Sequence, residues 1–249
     1  MSYQEVVIGT ANAGNGDNPF EAWTKTKANI EELYALTPVS VTGTTSLTSS
    51  ALGKVHICTG TSADYTVDLP TAVGNEGVII FKGAAALTKV VTIQGVSGQT
   101  IDGESDRKFS ATGMIAVLSD GANWVVVNEV GSWIPYTSVL GGFSADPTFD
   151  RQMYFRVGKT CTVIHHTTAS GTSGATTKTI TLPFNADSVA VQIGWTGSFV
   201  NNGTASTTPG MILTRVGSNT ADLYRDFVAL AWTASGACRI NFIFTYKIA

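Results

Sequence analysis

Short apolar segments separated by turn-forming residues recur about every ten residues between Lys54 and Val130. Val55–Thr59 and Tyr65–Leu69 alternate apolar and polar side chains, as a half-buried β-strand does. Asp120-Gly121 is a hairpin signal, and the apolar residues after it form the predicted return strand. Many short strands at this spacing are typical of a β-sandwich or a barrel, so we expect residues 38–130 to form a central β-domain.

A second run of predicted strands starts after Gly131. We expect residues 131–249 to form a C-terminal β-sandwich domain, which makes the fold mostly β with two sandwich-like or jelly-roll-like domains in series. The predicted strands of this second domain are Met153–Val157, Thr160–Thr167, Thr177–Leu182, Val189–Trp195, Met211–Val216, Phe227–Trp232 and Arg239–Lys247.

Residues 1–37 differ from the rest: a Gly- and Asn-rich arm leads into one predicted helix. Asn18 is a suitable N-cap, Pro19 suits the first helical position, and Pro38 ends the helix. A helix of about 17 residues is unstable alone in water, so its aromatic face must be covered. It packs either on its own β-domain or on copies of itself as a short coiled coil, and we favour the coiled coil because the flanking segments offer little core. The predicted trimer seam is Phe20, Trp23, Ile30, Leu33 and Tyr34.

Charged residues make up only 13% of the chain, against about 25% in ordinary soluble domains. A low charge density suits surfaces that other chains cover, which favours self-association. The net charge of −3 provides no basic field for nucleic acid. No apolar run approaches the length of a membrane helix, so no membrane insertion is expected. The first residues lack the features of a signal peptide, so we expect synthesis in a cytoplasm.

The cysteine and histidine residues are expected to be structural. Cys58, Cys161 and Cys238 form no CxxC pair, and we predict buried, reduced thiols. His165 and His166 are adjacent on a predicted strand and so point to opposite faces. His56 shares a face with Cys58, which leaves open a zinc or iron site on a threefold axis, although simple packing is the preferred interpretation.

Two groups of carboxylates are candidates for chemistry. Asp146 and Asp150 lie in one turn-rich stretch, and Asp102, Glu104 and Asp106 lie in another. Either group could hold two carboxylates at the spacing of a glycosidase, and the second could bind calcium. Asp is common in turns for local backbone reasons, so solvated loops are the simpler interpretation. We therefore predict no catalytic residue, no bound metal and no cofactor, and the chain is short for a parallel β-helix with a glycan groove.

Two polar loops of the second domain are long enough to project from the sheet. Loops on a rigid sheet can carry binding function because they vary without disturbing the core. These loops combine amide groups with an aromatic ring, which suits sugar hydroxyls and sugar faces. The predicted receptor-binding residues are Asn201, Asn202, Asn219 and Tyr224; the alternative is that both loops are ordinary hairpin turns.

Three segments resemble bacteriophage tail-fibre and related virion-fibre proteins. The first, Ile8-Gly9-Thr10-Ala11 with Gly14-Asn15-Gly16-Asp17 and the predicted helix, is similar to their N-terminal docking segment, with Trp23 and Ile30 in place of the usual Phe. The second resembles a small β-module of phage fibres and includes Leu69-Pro70, Thr100-Ile101-Asp102-Gly103 and Ser119-Asp120-Gly121. The third resembles C-terminal fibre domains and includes Gly131-Ser132-Trp133-Ile134-Pro135 and Leu182-Pro183-Phe184.

This resemblance implies a homotrimeric, β-rich virion appendage. Residues 1–37 would dock to another virion protein, and the C-terminal part would face the host and bind a surface glycan or protein. We therefore expect a structural tail fibre or receptor-binding protein, assembled in the host cytoplasm and located in the virion, and not an enzyme. A head fibre, collar fibre or capsid decoration protein has the same architecture and is the first alternative. A glycan-cleaving tailspike is the second.

Overall fold

A computed structural model describes residues 21–25, 38–206, 208–226 and 228–249. Residues 21–25 are helical, and the Trp23 side chain is 66% exposed. The other residues of the predicted helix seam, Phe20, Ile30, Leu33 and Tyr34, lie outside the described residues, as does most of the predicted docking segment. Beyond this helix and a 3₁₀ turn at Ser49–Ala51, the described chain consists of β-strands and loops, so the mostly β prediction is confirmed. No helix within the described ranges is long and apolar enough to span a membrane.

The central domain is a pair of sheets between which the chain alternates. The sheet orders are β1-β3-β5-β8-β9 and β2-β4-β6-β7. The strands are β1 (Val39–Val41), β2 (Thr45–Ser46), β3 (Val55–Cys58), β4 (Tyr65–Asp68), β5 (Val78–Gly83), β6 (Val91–Gln94), β7 (Asp106–Phe109), β8 (Met114–Ser119) and β9 (Trp124–Val130).

The first six strands of this domain stack in parallel. β1, β3 and β5 pair in parallel in one sheet, and β2, β4 and β6 do so in the other, so residues 39–94 form successive coils. β7, β8 and β9 then add antiparallel strands to the two sheets. This arrangement differs from the expected jelly roll, whose strands are antiparallel. Alternation of apolar and polar residues is the same in both arrangements, so it does not predict strand direction.

The core of the central domain lies between the two sheets. Trp124, Phe81 and Val67 are fully buried there. His56 and Cys58 share a face, as predicted, but that face is the core of their own domain: His56 is 2% exposed and stacks on Phe81 at 5.4 Å between ring centroids. Both side chains are therefore directed into the core of one chain, which favours simple packing.

The C-terminal domain is one curled sheet rather than two separate sheets, in the order β10-β13-β14-β21-β17-β19-β20-β16-β11. Short strands β12, β15 and β18 attach at its side. The strands are β10 (Trp133–Pro135), β11 (Leu140–Gly141), β12 (Phe143–Ala145), β13 (Thr148–Val157), β14 (Thr160–Ala169), β15 (Gly171–Ser173), β16 (Lys178–Thr181), β17 (Ile193–Asn201), β18 (Thr204–Ala205), β19 (Met211–Thr214), β20 (Thr220–Tyr224) and β21 (Ala237–Lys247).

The sheet curls at β17. Ile193–Trp195 pair with β19, whereas Thr196–Val200 pair with β21, with a register shift between Thr196 and Ser198. A bulge of this kind bends a strand and increases its twist, so the two halves of the sheet face each other. Phe242, Phe244 and Tyr246 from one half and Ile180, Ile212 and Leu223 from the other form the buried core.

The predicted strand Phe227–Trp232 is wrong: residues 228–233 form a loop. The Asp226 Oδ1 atom accepts hydrogen bonds from the backbone N–H groups of Val228 and Leu230, both at 3.0 Å. These local bonds satisfy backbone donors that a strand would direct to a neighbour. The start of the predicted strand Val189–Trp195 is also wrong, because the described strand begins at Ile193.

The predicted environments of the cysteine and adjacent histidine residues are confirmed. Cys58, Cys161 and Cys238 are free thiols, fully buried in strands β3, β14 and β21. His165 is 2% exposed, whereas the side chain of His166 on the opposite face is 51% exposed.

Candidate binding surface at the distal loops

The two domains meet at one end of the C-terminal sheet. Ser110 donates its backbone N–H to Ser132 Oγ at 2.7 Å, and Gly158 donates its backbone N–H to Glu129 at 2.7 Å. β14 begins at this junction and pairs antiparallel with β21, whose first residue therefore lies at the far end. We call this far end the distal end; its loops include residues 201–206 and 225–236.

Asn201 and Asn202 both have structural roles at the distal end. Asn201 Oδ1 accepts the backbone N–H of Thr233, and Asn201 Nδ2 donates to Thr233 Oγ1, both at 3.0 Å. Asn202 and Gly203 have φ values of 50° and 79°, as the type I′ turn between β17 and β18 requires. Gly236 packs so closely on the Asn202 side chain that a Cβ atom would not fit there.

The loop at residues 225–233 is held by buried contacts as well as by Asn201. Trp232 is 2% exposed, donates its indole N–H to the carbonyl of Leu223 at 2.8 Å, and packs edge-on against Phe199.

Ser173 donates to the carbonyl of Thr233 and accepts a 2.8 Å hydrogen bond from the buried ammonium of Lys178. These contacts fix the loop on the sheet while its tip stays in solvent: Val228 is 77% exposed and Leu230 49%.

A groove of about 260 Å³ lies between the two distal loops, and we call it the distal groove. One wall carries amide and hydroxyl groups, and the other carries a cation, a carboxylate and an apolar side chain. The sequence did not predict the second wall, because the apolar residues after Asp226 have the pattern of a strand. Its lining residues are Phe199, Asn201, Thr204, Ala205, Ser206, Thr208, Arg225, Asp226 and Leu230.

The structure does not bring all four predicted receptor-binding residues together. Asn201 lines the distal groove, Asn202 forms the adjacent turn, and Tyr224 ends the strand that leads into the second wall. Asn219 lies at the opposite end, where it lines the cleft of about 860 Å³ between the domains. Its carbonyl accepts the backbone N–H of Leu182, which fixes this turn on the neighbouring strand.

The carboxylates at residues 102–106 face arginine side chains. Arg156 donates two hydrogen bonds of 2.6 Å to the Glu104 carboxylate, and Arg107 lies 3.6 Å from it. Burial alone would raise the pKa of Glu104, but the nearby Arg156, Arg107 and Lys159 outweigh it and hold the pKa below its usual value. Asp102 bonds to Arg107 at 3.2 Å. These contacts make the cluster a link between the domains and leave its carboxylates engaged by cations.

In the other predicted carboxylate pair, one carboxylate is engaged by a histidine. Asp150 Oδ1 lies 2.6 Å from His166 Nδ1, and this hydrogen bond from His166 lowers the pKa of Asp150. Asp146 is exposed in the loop between β12 and β13. Within the part of the chain that the structure describes, no group of three or more His, Cys, Asp and Glu side chains is placed to hold a metal ion.

An exposed apolar band crosses the outer face of the C-terminal sheet. Ile164 on β14 pairs with Met153 on β13 and with Ile243 on β21. On β17, Gly194 faces the core, where it packs on Phe244. The next residue, Trp195, therefore lies on the outer face with the other three. Ile243 is 63% exposed and Trp195 52%, and the band continues along the chain at Val189, Val191 and Ile193. Exposed apolar side chains grouped in this way can form an interaction surface. We call these seven residues the apolar band.

No protein-family model matches the sequence, and no curated protein is significantly similar to it. Function can therefore be inferred only from the residues themselves, their geometry and the motifs of the sequence.

Proposed function

We propose that this protein is a trimeric bacteriophage fibre protein whose distal loops attach the virion to its host. The observation that carries the proposal is the distal groove. Its loops are fixed by the hydrogen bonds of Asn201 with Thr233 and of Trp232 with Leu223, and it lies at the end of the C-terminal domain farthest from the central domain. The fibre-like motifs of the sequence support it, because they assign the N-terminal part to the virion and the C-terminal part to the host.

The chemistry of the groove suits a carbohydrate receptor. Thr204, Ser206 and Thr208 supply hydroxyl groups, Asn201 supplies an amide, and Leu230 supplies an apolar surface. Recognition sites combine a few oriented polar groups with apolar contact area, which is what sugar hydroxyls and the faces of sugar rings need. Asn201 is engaged by Thr233, and the Ser206 hydroxyl donates to the carbonyl of Thr208 at 2.7 Å, so the adaptable contacts come from the Thr204 and Thr208 hydroxyl groups and from the opposite wall.

The full-length protein should compete with phage particles for adsorption to host cells. Replacing Thr208 and Leu230 together with Ala removes exposed groups from the two walls of the groove and should weaken this competition by about tenfold, roughly the loss expected for one good contact. The matched control is Asn219→Ala at the opposite end of the domain, which should leave adsorption and thermal stability unchanged.

Other outcomes of this experiment separate the alternatives. A wild-type protein that does not bind cells but is needed in the particle would favour a head fibre, a collar fibre or a decoration protein. Release of reducing sugar ends from host polysaccharide would favour a glycan-cleaving tailspike. Equal loss of adsorption in the Asn219→Ala variant would move the receptor site to the cleft between the domains.

Trimer formation is proposed to bury the apolar band. The exposed valines of the neighbouring domain, Val125, Val127 and Val130, offer a second apolar face on β9. Burial of several such side chains, at about 1.5–3 kcal/mol each, can offset the entropy lost on association. Light scattering should give a mass about three times 26.1 kDa.

Replacing Ile243 with Lys should convert the trimer to a monomer, because it places a charge at the centre of the apolar band. Val228→Lys is the matched control: it introduces the same charge at an exposed apolar residue of the distal loop and should leave the mass unchanged. A wild-type protein that is monomeric at micromolar concentration would contradict the proposal.

A further inference from the structure

Arg225 lines the distal groove and has no side-chain partner among the described residues. Its Nε atom is buried with no hydrogen-bond partner, and no hydrogen bond or ion pair connects its guanidinium group to the described residues. Arg107, Arg156 and Arg215 each bond to a carboxylate, although two further nitrogens of Arg107 are also buried without a hydrogen-bond partner. A buried donor that lacks a partner destabilises the free protein, so its presence at an open groove indicates a group that binds there.

In the described part of the chain, the one carboxylate that lines the groove beside Arg225 is Asp226, and it forms no ion pair with the guanidinium group. The adjacent Asp226 carboxylate is directed at the backbone N–H groups of Val228 and Leu230. The facing wall is neutral and carries the hydroxyl groups of Thr204, Ser206 and Thr208. The groove therefore combines one guanidinium group with several hydroxyl groups and one carboxylate whose Oδ1 atom is engaged by the backbone, and the guanidinium and hydroxyl groups match an acidic sugar.

We infer that the distal groove binds an anionic sugar through its carboxylate or phosphate group, with that group against Arg225. A planar guanidinium group binds either oxyanion through two parallel hydrogen bonds. The volume of about 260 Å³ is just below the range of about 300–1,000 Å³ typical of ligand pockets, which fits one terminal sugar unit better than a long glycan segment. A protein partner would need a much larger contact area than this groove offers. The inference rests on the proposed function, since it names the receptor chemistry of the same site.

Calorimetric titration of the full-length protein with paired ligands tests the inference. The pairs are trigalacturonate and its methyl ester, and glucose 6-phosphate and glucose. The anionic member of at least one pair should bind about 10- to 100-fold more tightly than its neutral counterpart, the range expected for hydrogen bonds to a charged group. The pair that shows this preference identifies the oxyanion as a carboxylate or as a phosphate.

Variants of Arg225 assign the effect to this side chain. Arg225→Gln should lose the preference for the anionic ligand, and Arg225→Lys should keep part of it, because an ammonium group retains the charge without the planar geometry. Arg215→Gln, which removes an exposed arginine from the same domain, should leave binding unchanged. Thermal unfolding of Arg225→Gln should be unchanged or shifted upward, because the variant removes a donor that has no partner.

Equal binding of anionic and neutral ligands, or an unchanged preference in Arg225→Gln, would overturn the inference. Binding of polyglutamate in place of the acidic sugars would also overturn it, in favour of an acidic protein partner. Cell adsorption that does not depend on Arg225 would overturn the inference and leave the proposed function intact. Binding of acidic sugars without competition for adsorption would support the inference and overturn the proposed function.

Discussion

Replacing Glu104 with Gln is expected to lower the free energy of unfolding by about 2–3 kcal/mol and to uncouple the two β-domains. Glu104 of the central domain accepts both hydrogen bonds that the Arg156 guanidinium group sends across the junction. The side chains of Arg156 and Arg107 are only 7% and 3% exposed, so each would keep a buried charge with weaker compensation. The loss is smaller than for a fully buried pair because 27% of Glu104 is exposed.

Calorimetry and limited proteolysis should report the uncoupling. The wild type is expected to unfold in one transition, whereas the Glu104→Gln variant should show two transitions and faster cleavage near Gly131. Asp106→Asn is the matched control, because the ion pair of Asp106 with Lys108 is exposed and long at 3.9 Å; it should cost less than about 1 kcal/mol. A Glu104→Gln variant as stable as this control would show that the domains are held together by other contacts.

Acidification from about pH 6.5 to about pH 4 should destabilise the protein by about 3 kcal/mol through His165 alone. Burial lowers the pKa of His165 from 6.5 to about 4. The ring lies against Phe242 and Phe149, and Ser138 Oγ and Gln152 Nε2 lie 3.0 and 3.2 Å from its Nε2 atom. Burial against these two rings removes the water that would solvate a charged imidazolium, so the neutral form is favoured.

The direction of this dependence of stability on pH follows from proton binding. Between pH 6.5 and pH 4 the unfolded chain binds a proton at this histidine and the folded chain does not, so stability falls as the pH falls and is fully present above pH 6.5. His165→Gln should remove most of this dependence in thermal unfolding followed from pH 4 to pH 7.5. His56, whose pKa is also lowered by burial, should leave a smaller residual slope. His166→Gln is the control on the exposed face; a slope reduced by this variant instead would contradict the assignment to His165.

The sequence predicted where strands lie better than how they pair. The alternation at Val55–Thr59 and Tyr65–Leu69 located β3 and β4 because burial on one face imposes a period of two. Alternation of apolar and polar residues does not indicate which strand pairs with which, or in which direction. Neither the parallel coils nor the curl at β17 could therefore be predicted. The loop at residues 228–233 was predicted to be a strand because it contains a continuous apolar run, although Asp226 satisfies part of its backbone locally.

The candidate binding surface was partly predictable, because some of its residues are adjacent in the sequence and others are not. Asn201 and Asn202 were identified from their loop, which is a local property of the sequence. The partner of Asn201 is Thr233, and the cation in the groove is Arg225, both distant along the chain. A single sequence does not show which distant residues the fold brings together, so the second wall and its charge could be found only in three dimensions.

The distal end can accept substitutions at the tip of the loop at residues 225–233, because the contacts that attach this loop lie away from the tip. The contacts that fix it involve Trp232, the backbone of Thr233 and the carbonyl of Leu223, and none uses the side chain of an exposed residue at the tip. Val228 and Leu230 are therefore free to change without loss of an anchor, whereas Ala229, with a φ of 57°, favours small residues or glycine. Under the proposed function, diversification of positions 228 and 230 alone would alter which cells are recognised while the sheet beneath stays the same.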